Sequence, residues 1–240
     1  MRRALKKIVG IARLLILFFI SWSIILVVLY RFVPPPLTPL MVIRFFEQIS
    51  DPKQHVKFRK DWESIEHISP NLPLAVMASE DQLFLKHFGF DIEAIKKAYQ
   101  HNNKKRKKKV STRGASTISQ QVAKNVFLWP GRSWLRKAFE AYFTFLIEVC
   151  WSKERIMEVY LNMIEMGNGV YGAEAASQYY FKKPASKLSR DEAALIAAIL
   201  PNPLKWSPVK PTPYILKKKE WIKRNMSYLA NTKNSKENEK

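Results

Sequence analysis

Hydrophobic positions divide the chain into an apolar N-terminal stretch and a body with a helical pattern. Residues 14–30 carry no charged side chain, and apolar residues recur later at spacings of three and four. That recurrence predicts helices over 116–126, 134–151, 153–164, 172–181 and 189–200. Ser189 with Glu192 forms a capping box pattern, and Pro201 marks the end of the last of these helices. Strand patterns are weak throughout, so the sequence predicts a mainly α fold.

The apolar stretch predicts a membrane-spanning helix over residues 8–30, with Arg13 reaching toward the head groups. A cleaved signal peptide is the alternative. The stretch ends in Tyr30, Arg31 and a run of prolines rather than in small residues, which favours an uncleaved anchor. Four basic residues precede the span and only Arg31 lies close behind it, so the N-terminus is expected in the cytoplasm and the remaining chain outside.

The pattern predicts five regions. They are a cytoplasmic basic tail at 1–7, the anchor at 8–30, a connector at 31–70, a catalytic body at 71–215 and a basic tail at 216–240. The last region is rich in Lys, Asn, Glu and Ser, so we expect a frayed helix that passes into disorder.

Composition limits the class of partner. The 240 residues are 47% hydrophobic, enough for one ordinary core, and the net charge of +21 favours an anionic partner. The run 104–109 has six adjacent cations, which in a soluble intracellular chain would suggest nucleic acid. On an external domain beside a bilayer, the same run would attract lipid head groups and phosphates, or would be a solvated loop without a specific role.

Glu80 and Asp81 are adjacent carboxylates that follow the apolar segment 74–78. The segment would hold the backbone in the core while the charges stay at its rim. Apolar neighbours raise the pKa of a carboxylate and a nearby cation lowers it, so such a group suits general base catalysis. A solvated helix end is the alternative, and this segment alone does not decide between them.

The segment 114–125 places glycine and small hydroxyl residues at the predicted start of a helix. Backbone amides are expected to be free there and to attract anions. Thr117, Gln120, Gln121 and Lys124 recur at helical spacing, so one face would offer groups for sugar hydroxyls and phosphate. An ordinary capped amphipathic helix remains the alternative.

A third group of charges follows on the next predicted helix. Arg132, Arg136 and Glu140 are spaced by four residues, with Lys137 beside them. Such pairs are usually surface ion pairs of small energetic value. The functional alternative is that the cations neutralise a phosphate, while Glu140 holds them or contacts the sugar.

Taken in this order, these segments resemble the peptidoglycan glycosyltransferases of glycosyltransferase family 51. The family motifs E-D-x-x-F-x-x-H-x-G, G-x-S-T-I-x-Q-Q-x-x-K-N, R-K-x-x-E and I-x-E-x-Y-L-N match residues 80–89, 114–125, 136–140 and 156–162. The resemblance covers about residues 72–208 and implies a lysozyme-like fold with a head lobe, a membrane-facing jaw and a cleft between them.

The resemblance also implies roles for individual residues. Glu80 matches the catalytic base and Glu140 a second essential carboxylate. Ser116, Lys124 and Arg132 match positions that contact the substrate pyrophosphate. The residues implied to line the same cleft are Gln120, Gln121, Asn125, Arg136 and Lys137. Glu158, Tyr160 and Asn162 are expected to support the cleft from behind.

The implied activity is polymerisation of lipid II into β-1,4-linked glycan strands with inversion and release of polyprenyl diphosphate. The implied partners are lipid II, the growing glycan, the inner membrane and proteins of cell-wall synthesis or division, with no nucleic acid. The catalytic domain would face the periplasm. A divalent cation, Mg²⁺ or Mn²⁺, would sit on the pyrophosphate, and no organic cofactor is expected.

Three rival functions are less consistent with the sequence. A lysozyme or lytic enzyme has no use for a set of pyrophosphate-binding cations. A bifunctional penicillin-binding protein needs a second domain after residue 210, and the S-x-x-K matches at 50–53 and 207–210 have no downstream K-T-G. A non-enzymatic cationic membrane adaptor would retain all its activity after Glu80→Gln.

Overall fold

A computed structural model of the chain describes residues 2–50, 56–106, 115–131 and 133–237. The helices are α1 Arg2–Phe32, α2 Pro39–Ser50, α3 Asn71–Glu80, α4 Ile92–Arg106, α5 Ile118–Phe127, α6 Trp134–Cys150, α7 Lys153–Met163, α8 Ala173–Phe181, α9 Arg190–Ile199 and α10 Pro213–Glu237. The strands are β1 Arg59–Lys60, β2 Glu165–Gly167 and β3 Val170–Tyr171. The predicted mainly α class is confirmed.

The helices predicted from hydrophobic spacing correspond to α5 through α9, with small differences at their ends. Local chemistry explains where they begin. Ser133 and Ser152 cap α6 and α7 by accepting a hydrogen bond from a backbone amide of the first turn. The capping box predicted for Ser189 and Glu192 is present at the start of α9.

A small sheet joins the connector to the segment after α7. Its strand order is β1-β3-β2, with β1 parallel and β2 antiparallel to β3. Gly169 precedes β3 at a φ of +67°, and a Cβ there would collide with the backbone oxygen of Lys57. Glycine is therefore needed where the two backbones meet. Strands of two or three residues are too short to show an alternating pattern, so the sequence did not predict this sheet.

Within the described part of the chain, α1 is long and apolar enough to cross a membrane by length and composition. Its second half packs along α6. The Ser23 and Tyr142 hydroxyls are 2.6 Å apart, and Trp151 Nε1 donates to the backbone oxygen of Val27 at 2.7 Å. Since later residues of α1 meet later residues of α6, the two helices run side by side in the same direction.

The expectation of a frayed C-terminal tail over 216–240 is wrong for most of that region. Helix α10 packs against α3 and α9, and Ile215, Ile222 and Met226 are fully buried in that contact. These apolar residues lie seven and four positions apart, so they form one stripe of a helix. Because lysines and asparagines surround these residues, the composition of the segment does not reveal the stripe. Residues 238–240 lie outside the described part of the chain.

The basic run 104–109 begins in the last turn of α4. Residues 107–109 lie outside the described part of the chain, as does Gly114. The role predicted for this run therefore stays a prediction.

Candidate active site

A cleft of about 810 Å³ opens where five helices meet. They are the C-terminal ends of α3 and α9, the N-terminal parts of α4 and α5, and one face of α10. Residues that face the cleft include Glu80, Ser116, Thr117, Gln121, Lys124, Trp221 and Asn225. The structure therefore brings the first two motifs together on opposite sides of one cavity.

Glu80 is the last residue of α3 and lies at the rim of the cleft. Its Oε2 accepts a hydrogen bond from Gln121 Nε2 of α5 at 3.1 Å. Its Oε1 lies 3.4 Å from the Ser79 hydroxyl, which is also 3.4 Å from the backbone oxygen of Ala197 in α9. One carboxylate oxygen is thus bonded to α5, and the other lies next to the Ser79 hydroxyl.

Asp81 has a different environment, because the backbone leaves the helix at this residue. Its side chain is buried, and Oδ1 is 2.9 Å from Nε2 of His87. Its Oδ2 accepts a hydrogen bond from the backbone amide of Ile118 at 3.0 Å. Asp81 therefore ties the end of α3 to the start of α5, while Glu80 stays accessible.

The start of α5 does not offer the free amides that the sequence led us to expect. Thr117 and Gln120 form a capping box, in which each side chain accepts from the backbone amide of the other. The Thr117 hydroxyl also donates to the backbone oxygen of Gly89 at 2.7 Å. With Ile118 already bound to Asp81, the prediction of an open anion site at this helix start is wrong. The Gln120 side chain is buried in the cap and does not line the cleft.

Lys124 is the cation that reaches the cleft from α5. Burial lowers the pKa of Lys124 below its ordinary value, and nearby Arg136 and Lys137 lower it further. Glu140 and Glu80 act in the opposite direction without cancelling the effect of burial. The Lys124 ammonium group is thus a poorly compensated positive charge between the carboxylate at the cleft and the charged group on α6.

The charged group on α6 is a compact ion cluster next to the cleft. Arg136 Nη1 donates to Glu140 Oε2 at 3.3 Å, and Lys137 donates to Glu140 Oε1. The Glu140 side chain is only 4% exposed, so its carboxylate is enclosed by its own cations. None of these residues lines the cleft itself. Arg132 lies outside the described residues, and its predicted role stays a prediction.

The remaining predicted residues differ in their exposure. Ser116 is exposed at the cleft, whereas Asn125 is half-buried on α5 and does not line the cavity. Behind α5, the Ser119 hydroxyl donates to Glu148, which also accepts from Lys153 at 2.7 Å. This buried group fixes the inner face of the helix that carries Gln121 and Lys124.

Residues of α7 support the site from below. Tyr160 is buried, and burial raises its pKa well above the ordinary value, with the charges of Glu80 and Asp81 adding to the effect. Asn162 exchanges two hydrogen bonds with the backbone of Glu63, at 2.7 and 2.9 Å, and so holds the connector against α7. Tyr160 therefore stays neutral beneath the carboxylate pair.

Sequence reasoning missed the wall formed by α10. Trp221 and Asn225 lie one helical turn apart and face the cleft, and Gln82 Nε2 donates to Asn225 Oδ1 at 3.1 Å. The apolar spacing of Ile215, Ile222 and Met226 was the signal that could have placed this helix in the folded body.

Comparison with known proteins decides the family. Residues 47–227 match the family described as Transglycosylase. The chain belongs to the transglycosylase family. It is accordingly a glycosyltransferase enzyme with a lysozyme-like fold, and the family predicted from the motifs is confirmed. The transglycosylase match includes the part of α10 that carries Trp221 and Asn225.

Similar transglycosylases come from several bacteria and are named biosynthetic peptidoglycan transglycosylase. The protein of Bacteroides thetaiotaomicron is 54% identical over 223 residues, covering 93% of this chain and 88% of the relative. That of Pseudomonas aeruginosa is 51% identical over 215 residues, covering 90% of each chain. That of Pseudomonas putida strain KT2440 is 51% identical over 215 residues, covering 90% of this chain and 89% of the relative.

Proposed function

We propose that this transglycosylase polymerises peptidoglycan strands from lipid II, a disaccharide joined to a polyprenyl chain through pyrophosphate. The observation that carries the proposal is that Glu80 and Lys124 line one cleft and that Gln121, on the same helix as Lys124, is bonded to Glu80. A carboxylate suits the attacking hydroxyl, and a poorly compensated cation suits an anionic leaving group. The names of the similar transglycosylases support peptidoglycan as the product.

The proposed reaction is a single displacement. The donor sugar is α-linked to pyrophosphate and the product is β-1,4-linked, so the configuration inverts at the anomeric carbon. Glu80 takes the proton from the acceptor 4-hydroxyl as its oxygen forms the new bond to that carbon. The bond from the same carbon to the pyrophosphate oxygen breaks, and the pyrophosphate leaves on its polyprenyl chain.

The leaving pyrophosphate needs positive charge more than it needs a proton. Lys124 is the buried cation at the cleft, where Lys97 of α4 also lies, and Arg136 and Lys137 lie close enough to Lys124 to influence its pKa. Because the carboxylate of Glu140 is enclosed by Arg136 and Lys137, we assign it the positioning of those cations rather than contact with the reacting atoms. Binding of a pyrophosphate would compensate the buried charge of Lys124.

A divalent cation enters the proposal only as an ion carried by the substrate. Among the described residues, no three His, Cys, Asp or Glu side chains come together as a metal-binding group. Mg²⁺ or Mn²⁺ would therefore be held chiefly by the pyrophosphate oxygens, and no step above depends on it.

We propose that α1 is an uncleaved anchor in the cytoplasmic membrane, with its basic N-terminus inside and the cleft outside. The contacts of Tyr142 with Ser23 and of Trp151 with Val27 support an uncleaved segment, because cleavage after the span would remove both partners. The anchor would confine the search for a lipid-linked substrate to the plane of the bilayer.

The test compares Glu80→Gln with the wild type and with Glu66→Gln, a control at an exposed carboxylate. Each purified full-length chain would receive lipid II in liposomes, and glycan strands would be resolved on a gel. We expect Glu80→Gln to lower the rate by at least about 10²-fold, and the control to polymerise normally. Normal strand formation by Glu80→Gln would refute the mechanism, and a wild-type chain that releases no polyprenyl pyrophosphate from lipid II would refute the function.

A further inference from the structure

We propose, on the basis of the function given above, that the polyprenyl chain of the donor enters an apolar cavity between the anchor helix α1 and the helices α5 and α6. This cavity has a volume of about 320 Å³, and among the described residues none lines both it and the catalytic cleft. We call it the anchor cavity. Its walls include Trp22 and Leu26 of α1, Phe127 of α5, Trp129, and Phe139 and Phe143 of α6.

The walls of the anchor cavity are mainly apolar. The rings of Phe127 and Phe143 stack in parallel with their centres 4.6 Å apart, so they form one rigid side. The hydroxyl group of Ser23 also lines the cavity, but it donates to the backbone oxygen of Ile20 and lies 2.6 Å from the hydroxyl group of Tyr142. Ser23 is therefore already partnered, and a hydrocarbon chain fits these walls better than a sugar or a phosphate does.

The size and position of the anchor cavity favour a lipid chain. An α-helix with its side chains is at least about 10 Å wide, so a space of 320 Å³ would hold less than one turn of a partner helix. The residues that α1 contributes run from Phe19 to Tyr30, in the outer half of the proposed span. Trp22 is half-exposed, so the cavity is not closed off from the surroundings of α1. A chain in the outer leaflet can therefore reach it.

The order of polar and apolar groups along two helices matches the order of groups in the substrate. On α5, Phe127 follows Lys124 by three residues, so the two side chains are neighbours on one side of the helix. On α6, Phe143 follows Glu140 of the ion cluster by the same spacing. Lipid II likewise has its pyrophosphate directly before its polyprenyl chain. A pyrophosphate at Lys124 would thus have the anchor cavity about one helical turn, or about 5 Å, away.

Binding in the anchor cavity would gain free energy through packing rather than through transfer from water. The lipid tails of a bilayer are as apolar as the cavity, so a chain that moves between them leaves little additional water. What the cavity adds is contact with fixed aromatic walls, which the mobile tails cannot offer. The chain is held in the same way before and during the reaction. We therefore expect the cavity to affect the KM for the donor more than kcat.

The kinetic test fills the anchor cavity. Leu26→Trp places a larger side chain in it, whereas Ile25→Trp makes a similar change at an exposed neighbour outside it. Each full-length variant in liposomes would receive a lipid II derivative whose 4-hydroxyl is blocked, so that it can only donate. The acceptor would have its sugar joined to the pyrophosphate through carbon, so that it can only accept. We expect Leu26→Trp to raise the donor KM about tenfold, equivalent to about 1.4 kcal/mol, and Ile25→Trp to leave it unchanged.

A donor without a long chain guards against a folding defect. When a methyl group replaces the polyprenyl chain, Leu26→Trp and the wild type should have the same donor KM, because nothing then enters the anchor cavity. A misfolded variant would be impaired with both donors. An equal rise in KM for the two donors, or an unchanged KM for the long-chain donor in Leu26→Trp, would overturn the proposal.

Cross-linking distinguishes the donor chain from the acyl chain of a phospholipid. A donor with a photoreactive group on its second isoprene unit should label the segments 19–30 and 126–143 of the wild type, and excess unlabelled donor should suppress this labelling. A phospholipid with the same group in its acyl chain should label these segments no more than it labels residues 8–18. Preferential phospholipid labelling that the donor does not displace would also overturn the proposal. In that case, polymerisation by the wild type and its loss in Glu80→Gln would leave the proposed function standing.

Discussion

The guanidinium group of Arg155 binds the backbone oxygen of Tyr30, at 2.9 Å from Nη2 and 3.2 Å from Nε. Arg155 also donates to the backbone oxygen of Val33 at 3.0 Å and pairs with Glu158 at 2.5 Å. Carbonyls at the end of a helix lack partners within the helix, and a cation there is favourable. Arg155 therefore fastens the C-terminal end of α1 to α7, and α1 is joined to the domain at both α6 and α7.

We expect Arg155→Ala to loosen this connection and to reduce polymerisation of lipid II in liposomes. Transfer between analogues with short, water-soluble lipid chains should stay close to the wild-type rate, because the cleft does not contain Arg155. The loss of stability should be about 1.5–3 kcal/mol, the range for hydrogen bonds to a charged group, as measured by thermal unfolding. Arg224→Ala removes an exposed cation of α10 and serves as the control. An equal loss with both substrates would place the defect in the cleft instead.

The depressed pKa of Lys124 predicts how activity depends on pH. As pH rises, Lys124 loses its proton below the ordinary value of 10.5, and the charge offered to the leaving group disappears. The kcat/KM of the wild type should therefore fall on the alkaline side at a lower pH than an exposed lysine would give. Lys124→Arg keeps its charge over this range, so its profile should lack that alkaline fall. An unchanged fall in Lys124→Arg would assign it to another group.

The same shift predicts a stability gain from removing the charge. Between the folded and unfolded pKa values of Lys124, the unfolded chain binds more protons, so stability rises with pH in that window. Below it, the folded protein bears the cost of a buried cation. We expect Lys124→Met to raise the midpoint of thermal unfolding at neutral pH by about 2–4 °C per kcal/mol regained, and to abolish polymerisation. A lower midpoint would show that Glu80 and Glu140 stabilise the cation more than burial destabilises it.

Asp81 should stabilise the folded protein because its side chain joins the end of α3 to the start of α5. Asp81→Asn keeps the shape of the side chain but removes the charge that binds His87 and the amide of Ile118. We expect a loss of about 1–3 kcal/mol in the free energy of unfolding, measured with urea, because a buried donor loses its partner. Asp61→Asn, at an exposed carboxylate, should change that free energy by less than about 0.5 kcal/mol. Equal stability of the two variants would contradict the linking role.

A substitution at Gly169 tests how closely the backbone before β3 lies to the backbone of the connector. Gly169→Ala would place a methyl group against the backbone oxygen of Lys57, whereas Gly131→Ala would meet nothing within 4 Å. Both glycines have a positive φ, at +67° and +131°. The φ of Gly131 is the harder one for alanine to adopt, so a lower midpoint for Gly169→Ala than for Gly131→Ala must come from the collision. We expect Gly169→Ala to unfold at the lower temperature, and a midpoint equal to that of the wild type would argue against close contact at this point.

The sequence predicts those features that depend on neighbouring residues. Helices α5 to α9 were predictable because apolar spacing and capping residues such as Ser189 act within a few positions. The interior of the site was less predictable, because Asp81 reaches the amide of Ile118 and Glu80 reaches Gln121 from a different helix. A pattern of hydroxyl residues at a helix start does not reveal that a carboxylate distant in sequence already binds a backbone amide there. The stripe of α10 was hidden because, among the residues of this lysine-rich segment whose burial is described, Ile215, Ile222 and Met226 alone are fully buried.

The partners of α1 have a consequence for how the protein is assembled. Helix α1 leaves the ribosome before α6 and α7, and Tyr142, Trp151 and Arg155 follow their partners by 119, 124 and 125 residues. Contacts of such long sequence separation form late in folding. Helix α1 must therefore wait undocked until at least 119 further residues have been synthesised, and the position of the cleft relative to that helix is set only after α6 has formed.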